Sequence, residues 1–155
     1  GYYVAELLRE LTDEHDPHPE LFQLAIATLV ALDAQGENPD PTARVLHFEL
    51  AALRLLGHLP ALDQCAGCGR DVEQSGRLAF GLLAEGVLCP ACRQGKRQVA
   101  AVTRSSITAM RKLAASGCED SGELTPAVRG ELRGLLNRYM CNLLGHRPKT
   151  QGLIM

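Results

Sequence analysis

The chain has 155 residues, 46% of them hydrophobic and only 4% aromatic, with no Trp and a formal net charge of −2. A chain of this length buries about 70% of the surface its unfolded form exposes, enough for one apolar core, and with so few aromatics that core favours helices over a β-sandwich. No apolar run reaches the roughly 20 residues that cross a bilayer and no basic-then-apolar leader opens the chain, so neither membrane nor export is expected.

Tyr3, Leu7 and Leu11 recur every four residues with Val4 and Leu8 beside them, predicting a helix with no capping residue before it, as in a chain whose upstream part is missing. Residues 13–18 read as a polar loop. Pro19 then opens a second helix, at a position where its missing N–H costs little, and Gly36 closes it. Leu21, Phe22, Leu24, Ala25, Ile26, Leu29, Val30 and Leu32 are apolar on nearly every side, which places this helix in the middle of a bundle rather than on its surface.

After the rigid connector Asn38-Pro39-Asp40-Pro41, a third helix is expected with Asp40 as cap, a stripe of Val45, Phe48, Ala52 and Leu55, and Gly57 as its stop. Residues 65–99 break the helical pattern, and two brief apolar stretches, 77–83 and 86–88, read as short strands. Ile107, Met110, Leu113 and Ala114 then line one helix face behind Ser105 or Ser106 as cap. A polar loop from Ser116 to Glu123 leads to a last helix with Thr125 as cap, Pro126 at its first position, a stripe from Val128 to Leu144, and Gly145 as stop. The expected fold class is mainly α: a helical bundle, residues 1–64 and 101–155, interrupted by an inserted four-cysteine, zinc-ribbon-like β element over residues 65–100.

Four of the six cysteines form the pairs Cys65-Ala66-Gly67-Cys68 and Cys89-Pro90-Ala91-Cys92, separated by 20 residues. Two cysteines three positions apart can aim both sulfurs at one ion, Gly67 and Gly69 permit the tight turn, and a second such turn completes a tetrahedron with Zn–S distances of about 2.3 Å. The expectation is one structural Zn²⁺ on Cys65, Cys68, Cys89 and Cys92. Four thiolates leave no open position for water or substrate, which argues against catalytic zinc. A pair of disulfides or a thiol redox site is the competing reading, but redox pairs usually occur singly beside a βαβ pattern. Cys118 and Cys141 read as ordinary small hydrophobes.

The five histidines are scattered, His15 and His18 in a polar loop, and neither a Gly-rich phosphate loop nor a nucleophile elbow appears, so an enzyme is not expected. Charge is uneven along the chain: residues 1–64 hold 3 Lys/Arg against 11 Asp/Glu, residues 65–155 hold 13 against 7. Arg93, Lys96, Arg97, Arg104, Arg129, Arg133, Arg147 and Lys149 are candidate contacts for phosphate backbones or an acidic partner, Arg129 and Arg133 sharing a helix face. The bland alternative is solvated helix faces of differing sign.

The order of several motifs resembles the C-terminal region of the bacterial recombination mediator family RecO. These are Pro17-His18-Pro19-Glu20-Leu21-Phe22, the run from Phe48 to Gly57 leading through Pro60 and Leu62 to the first cysteine pair, Gly86-Val87-Leu88 before the second, and Arg138-Tyr139 leading to Leu144-Gly145-His146-Arg147-Pro148-Lys149-Thr150. The resemblance covers essentially the whole chain. It implies a DNA repair and recombination role in the bacterial cytoplasm, at the nucleoid during repair, through binding to single- and double-stranded DNA, single-stranded-DNA-binding protein and a RecR-type protein, and indirectly the RecA recombinase. It implies an N-terminal OB-fold as well, which this sequence lacks. The alternative is a zinc-stabilised helical interaction module with no nucleic-acid role, and a metal-dependent hydrolase is a more distant third.

Overall fold

The computed structural model describes all residues except 35–39, 74–75, 116–123 and 155. Chain order is α1 (Tyr2–Leu11), α2 (Pro19–Asp33), α3 (Pro41–Leu55), β1 (Arg77–Gly81), β2 (Gly86–Leu88), α4 (Pro90–Arg93), β3 (Val99–Thr103), α5 (Arg104–Ala115), α6 (Pro126–Leu144) and a closing 3₁₀ turn, Gln151–Ile154. The start signals of α3 and α6 act as the sequence suggests. Asp40 accepts from the backbone N–H groups of Thr42 and Ala43 above Pro41, and Thr125 accepts from that of Val128 above Pro126. Gly57 and Gly145, both left-handed, follow the ends of α3 and α6. The expected stop at Gly36 and the loop 116–123 lie outside the described residues.

The centre of the bundle is α3, not α2. Every residue from 45 to 53 is buried, because α2, α5 and α6 pack around α3 from different sides. On α2 only Leu21, Ala25 and Thr28 are buried, while Phe22 (62% exposed), Ile26 (47%) and Val30 (65%) face outward. The sequence expectation for this helix is corrected on physical grounds: burying a helix all round needs neighbours all round, and among the described residues α2 packs mainly against α1 and α3. Its outward residues are four apart and form one stripe.

The sheet has the order β2-β1-β3 and is antiparallel throughout, with Phe80 opposite Val87 and Ala100, and Ala79 opposite Leu88 and Ala101. The strand β3 is not apparent in the sequence. Val99-Ala100-Ala101-Val102 carries no alternation, only Val102 is buried, and pairing with β1 is what makes it a strand. As a result Ser105 and Ser106 lie inside α5, and the hydroxyl of Thr103 caps the helix by accepting from the Ser106 N–H at 3.3 Å.

One continuous apolar core joins sheet and helices. Phe80, fully buried, meets Tyr139 of α6 edge to face, with centroids 6.1 Å apart at 80°. A polar clamp reinforces the seam. Glu131 of α6 accepts from the Thr103 N–H (3.0 Å), the Thr103 hydroxyl (2.6 Å) and the Ser106 hydroxyl, and pairs with Arg77 of β1 at 3.0 Å.

Candidate metal centre

Two backbone knuckles carry the cysteines. In the first, the Gly69 N–H donates to the Cys65 carbonyl and the Cys65 N–H to that of Arg70, both at 2.8 Å, and the Ala66 N–H donates to Val87 of β2 at 2.9 Å. A Cβ on Gly67 would stand 3.0 Å from both Cβ and Sγ of Cys92, and Gly69 has φ +72°, so a side chain would crowd Cys92 at the first position and sit on a strained backbone at the second. In the second knuckle Cys89 precedes α4, Pro90 starts it, and the Arg93 N–H closes the turn on the Cys89 carbonyl at 2.9 Å.

The four Sγ atoms lie within 4.8 Å of one another. A tetrahedral ion with Zn–S bonds of about 2.3 Å spaces its sulfurs by about 3.8 Å, and Cys68 and Cys89 Sγ are 3.8 Å apart. Backbone N–H groups are aimed at the sulfurs: Cys89 (3.3 Å) and Gly67 (3.4 Å) donate to Cys65 Sγ, and Cys92 (3.5 Å) donates to Cys89 Sγ. Burial opposes ionisation of Cys65, but donation from Cys89, Gly67 and Cys68 outweighs it and lowers its pKa to about 6. Hydrogen bonding among the sulfurs, Cys89 foremost, pushes the Cys92 thiol up to about 12. Sulfurs this close compete for protons, and a divalent cation ends the competition by accepting all four as thiolates. The donor set therefore fits a soft tetrahedral ion held by two pre-shaped turns. Among the described residues this is the one cluster of potential metal ligands; His15 is exposed, and His18 lies 3.2 Å from Asp16.

The basic candidates separate into two groups. Arg93, Lys96, Arg97, Arg104, Arg147 and Lys149 are exposed, and none forms an ion pair among the described residues. Arg129 and Arg133 do share a face of α6, but that face is turned inward. Arg129 pairs with the α3 cap Asp40 at 2.6 Å, and Arg133, 7% exposed, pairs at 2.6 Å with Glu49, which is fully buried on α3. Arg111 likewise reaches Asp63 at 2.8 Å. These contacts couple the acidic first part of the chain to the basic second part, so the sequence asymmetry is partly neutralised inside the fold.

Several buried polar residues give only a faint sequence signal, a charge or hydroxyl within an apolar stripe. The Tyr3 hydroxyl also donates to Glu49; burial first, and the carboxylate second, hold the Tyr3 pKa far above its ordinary value. Glu6 accepts from the backbone N–H groups of Lys149 and Thr150, each at 2.8 Å, and from the Thr150 hydroxyl, tying the chain's end to its first helix. His47 is buried with Nδ1 2.8 Å from the Leu113 carbonyl, and burial lowers its pKa.

The family described as "Recombination protein O C terminal" matches residues 1–152 of this chain. The DNA repair protein RecO of Rhodopirellula baltica is 36% identical over 176 residues, covering 97% of this chain and 64% of that protein. Those of Anaeromyxobacter sp. (strain K) and Myxococcus xanthus are 38% and 36% identical, covering 94% and 96% of this chain. The chain spans 56% to 64% of the length of these relatives. No helix among the described residues is long and apolar enough to cross a membrane.

Proposed function

This chain belongs to the family of recombination protein O C-terminal regions, and from that premise we propose that it serves DNA repair and homologous recombination as a binding module with one structural Zn²⁺. The family match over residues 1–152 carries the reading. The ion sits on Cys65, Cys68, Cys89 and Cys92, whose closed thiolate shell suits a structural role and offers no site for substrate. The module acts by binding and not by catalysis, in the bacterial cytoplasm. Its scaffold is residues 1–64 and 101–155, with 65–100 as the metal-bearing insert.

The proposed ligands are single- and double-stranded DNA, together with a RecR-type protein and single-stranded-DNA-binding protein, through which it acts on the RecA recombinase. Arg93, Lys96 and Arg97 follow the metal knuckle directly and are exposed and free of carboxylates, so they are the proposed first contacts to phosphate, with Arg104 and Lys149 beside them in role. Arg129 and Arg133 are assigned to the scaffold, since their guanidiniums already meet buried or capping carboxylates.

The test is metal analysis followed by DNA titration at several salt concentrations. The expected result is one Zn²⁺ per chain and an affinity for an oligonucleotide that falls linearly with salt on a log-log plot, with Arg93→Glu/Arg97→Glu reducing both affinity and slope. Binding that ignores salt, or no binding by the full-length protein, would leave the zinc-stabilised interaction module as the better account.

A further inference from the structure

Among the described residues, two clefts each contain a pair of arginines, and their chemistry differs. The larger, about 730 Å³, holds Arg54 and Arg111, but Asp63 and Asp71 line it too. Arg54 Nε is committed to the Ala114 carbonyl at 2.7 Å, and Arg111 to the Leu62 carbonyl at 2.5 Å and to Asp63. That cleft has no net positive charge to offer an anion.

The smaller, about 440 Å³, is lined by Arg138 and Arg147 with no carboxylate. Neither arginine has an ion-pair or hydrogen-bond partner for its guanidinium among the described residues. The fold brings the two together. Arg138, Cys141 and Asn142 share one face of α6, and past the left-handed turn at Gly145 the chain returns so that Arg147 and Gln151 line the same cleft, Gln151 against Asn137 and Cys141.

The remaining lining is amide-rich. Asn142 Nδ2 donates to Gln98 Oε1 at 3.0 Å, leaving the Gln98 amino group and the Asn142 oxygen for a ligand. Gln151 is 2% exposed and loosely held: its amide nitrogen is 3.4 Å from the Asn137 carbonyl, and its oxygen is 3.8 Å from Cys141 Sγ. Leu82, joined to Gln98 through its backbone N–H at 2.9 Å, supplies an apolar wall. The volume lies within the roughly 300–1,000 Å³ range of small-ligand sites.

We propose that this cleft seats one unpaired nucleotide of a single strand, Arg138 and Arg147 clamping a single phosphodiester while the amides meet the base or sugar. Two guanidiniums without counter-charge select an anion, and paired donors and acceptors beside them match the edge of a base. A base paired in a duplex has its Watson–Crick edge already occupied, so the amides would meet only an unpaired one. The inference rests on the nucleic-acid reading given above, and it assigns that reading a site apart from Arg93, Lys96 and Arg97.

The experiment uses full-length, zinc-loaded protein, with labelled oligo(dT), a duplex of equal length, d(TpT), inorganic phosphate and an Asp/Glu-rich peptide as probes. Side-chain NMR signals of Arg138 and Arg147 are expected to shift with both d(TpT) and phosphate, and those of Asn142 and Gln151 with d(TpT) alone. Arg138→Ala/Arg147→Ala, at exposed positions where folding is expected to be unaffected, should weaken oligo(dT) binding about tenfold and flatten its log-log salt slope by about 0.7, the share of one phosphate on a single strand. Duplex binding should change less than twofold. Equal loss for duplex, a response to phosphate without the amide shifts, or shifts caused by the acidic peptide and not by d(TpT) would each overturn the proposal. If the double variant binds oligo(dT) like wild type while Arg93→Glu/Arg97→Glu does not, the cleft is refuted and the nucleic-acid reading stands. No DNA binding by the wild-type protein refutes both.

Discussion

In α3 nine consecutive residues are buried, whereas α4, which carries Cys92, has no buried residue at all. The two lie in one continuous molecule but are ordered by different means. The helices α3, α5 and α6 hold their positions by mutual burial of apolar faces, at about 25 cal/mol per Å² of area removed from water. The knuckles at 65–70 and 89–93 bury little beyond Cys65 and rely on turn geometry and on four sulfurs facing one point. Between these extremes lies the sheet, whose inner residues Leu78, Phe80, Val87 and Leu88 belong to the helical core even though β1 and β2 belong in sequence to the cysteine segment. A metal on the four sulfurs would therefore order the outer knuckles more than the strands.

The largest expected effect tests that division. Stripping any bound ion with a strong chelator, or replacing Cys68 with Ser, should abolish amide protection over the knuckles, residues 65–70 and 89–93, a local loss on the order of 10 kcal/mol on the scale of structural zinc binding, and leave β1 and β2 protected. Protection in α3 should persist. Hydrogen exchange reads both, and simultaneous loss in α3 would show that knuckles and bundle are one cooperative unit.

Phe80→Ala attacks the join rather than either side. Removing a fully buried ring that meets Tyr139 should cost about 3–5 kcal/mol and lower the melting midpoint by roughly 6–20 °C for a domain of this size. Sheet and helices should melt together. Melting confined to the sheet would place the coupling elsewhere, with the Glu131 clamp the next candidate.

The smallest effect concerns that clamp and is read by pH. Burial raises the Glu131 pKa, but hydrogen bonds from Ser106 and Thr103 and the charge of Arg77 outweigh it and hold it below the ordinary 4.5. A carboxylate depressed in the folded state contributes stability that is present above its unfolded pKa and lost as pH falls through the folded one. Denaturant titrations should therefore show wild-type stability declining in the acid range below 4.5, and a shallower decline for Glu131→Gln. Glu6, whose pKa the Thr150 hydroxyl lowers, keeps a residual slope. An unchanged slope in Glu131→Gln would mean that the clamp is not held by its charge.

Much of the fold is legible in the sequence because the deciding residues are close together. Asp40-Pro41, Thr125-Pro126, Gly57 and Gly145 mark their helix ends by contacts spanning a few residues. The two Cys-x-x-Cys turns shape themselves in the same way, with Gly67 and Gly69 making room. The α2 helix misleads for the opposite reason. Its composition asks for burial on all sides, but composition does not say how many neighbours arrive, and Phe22, Ile26 and Val30 remain exposed. The strand β3 has no pattern of its own to read, since its partner β1 determines its conformation.

By itself, then, the sequence determined the long helices, the caps of α3 and α6, the two cysteine knuckles and the family motifs, all features set by side chains within a turn or two of each other. Tertiary structure alone decided that α3 is central, that Arg129 and Arg133 face Asp40 and Glu49 across 89 and 84 residues of chain, and that Arg138 and Arg147 share a cleft free of carboxylates. The reason is physical. Local conformation depends on neighbours along the backbone, whereas burial, charge pairing and the lining of a cleft depend on groups that meet only after the chain has closed on itself.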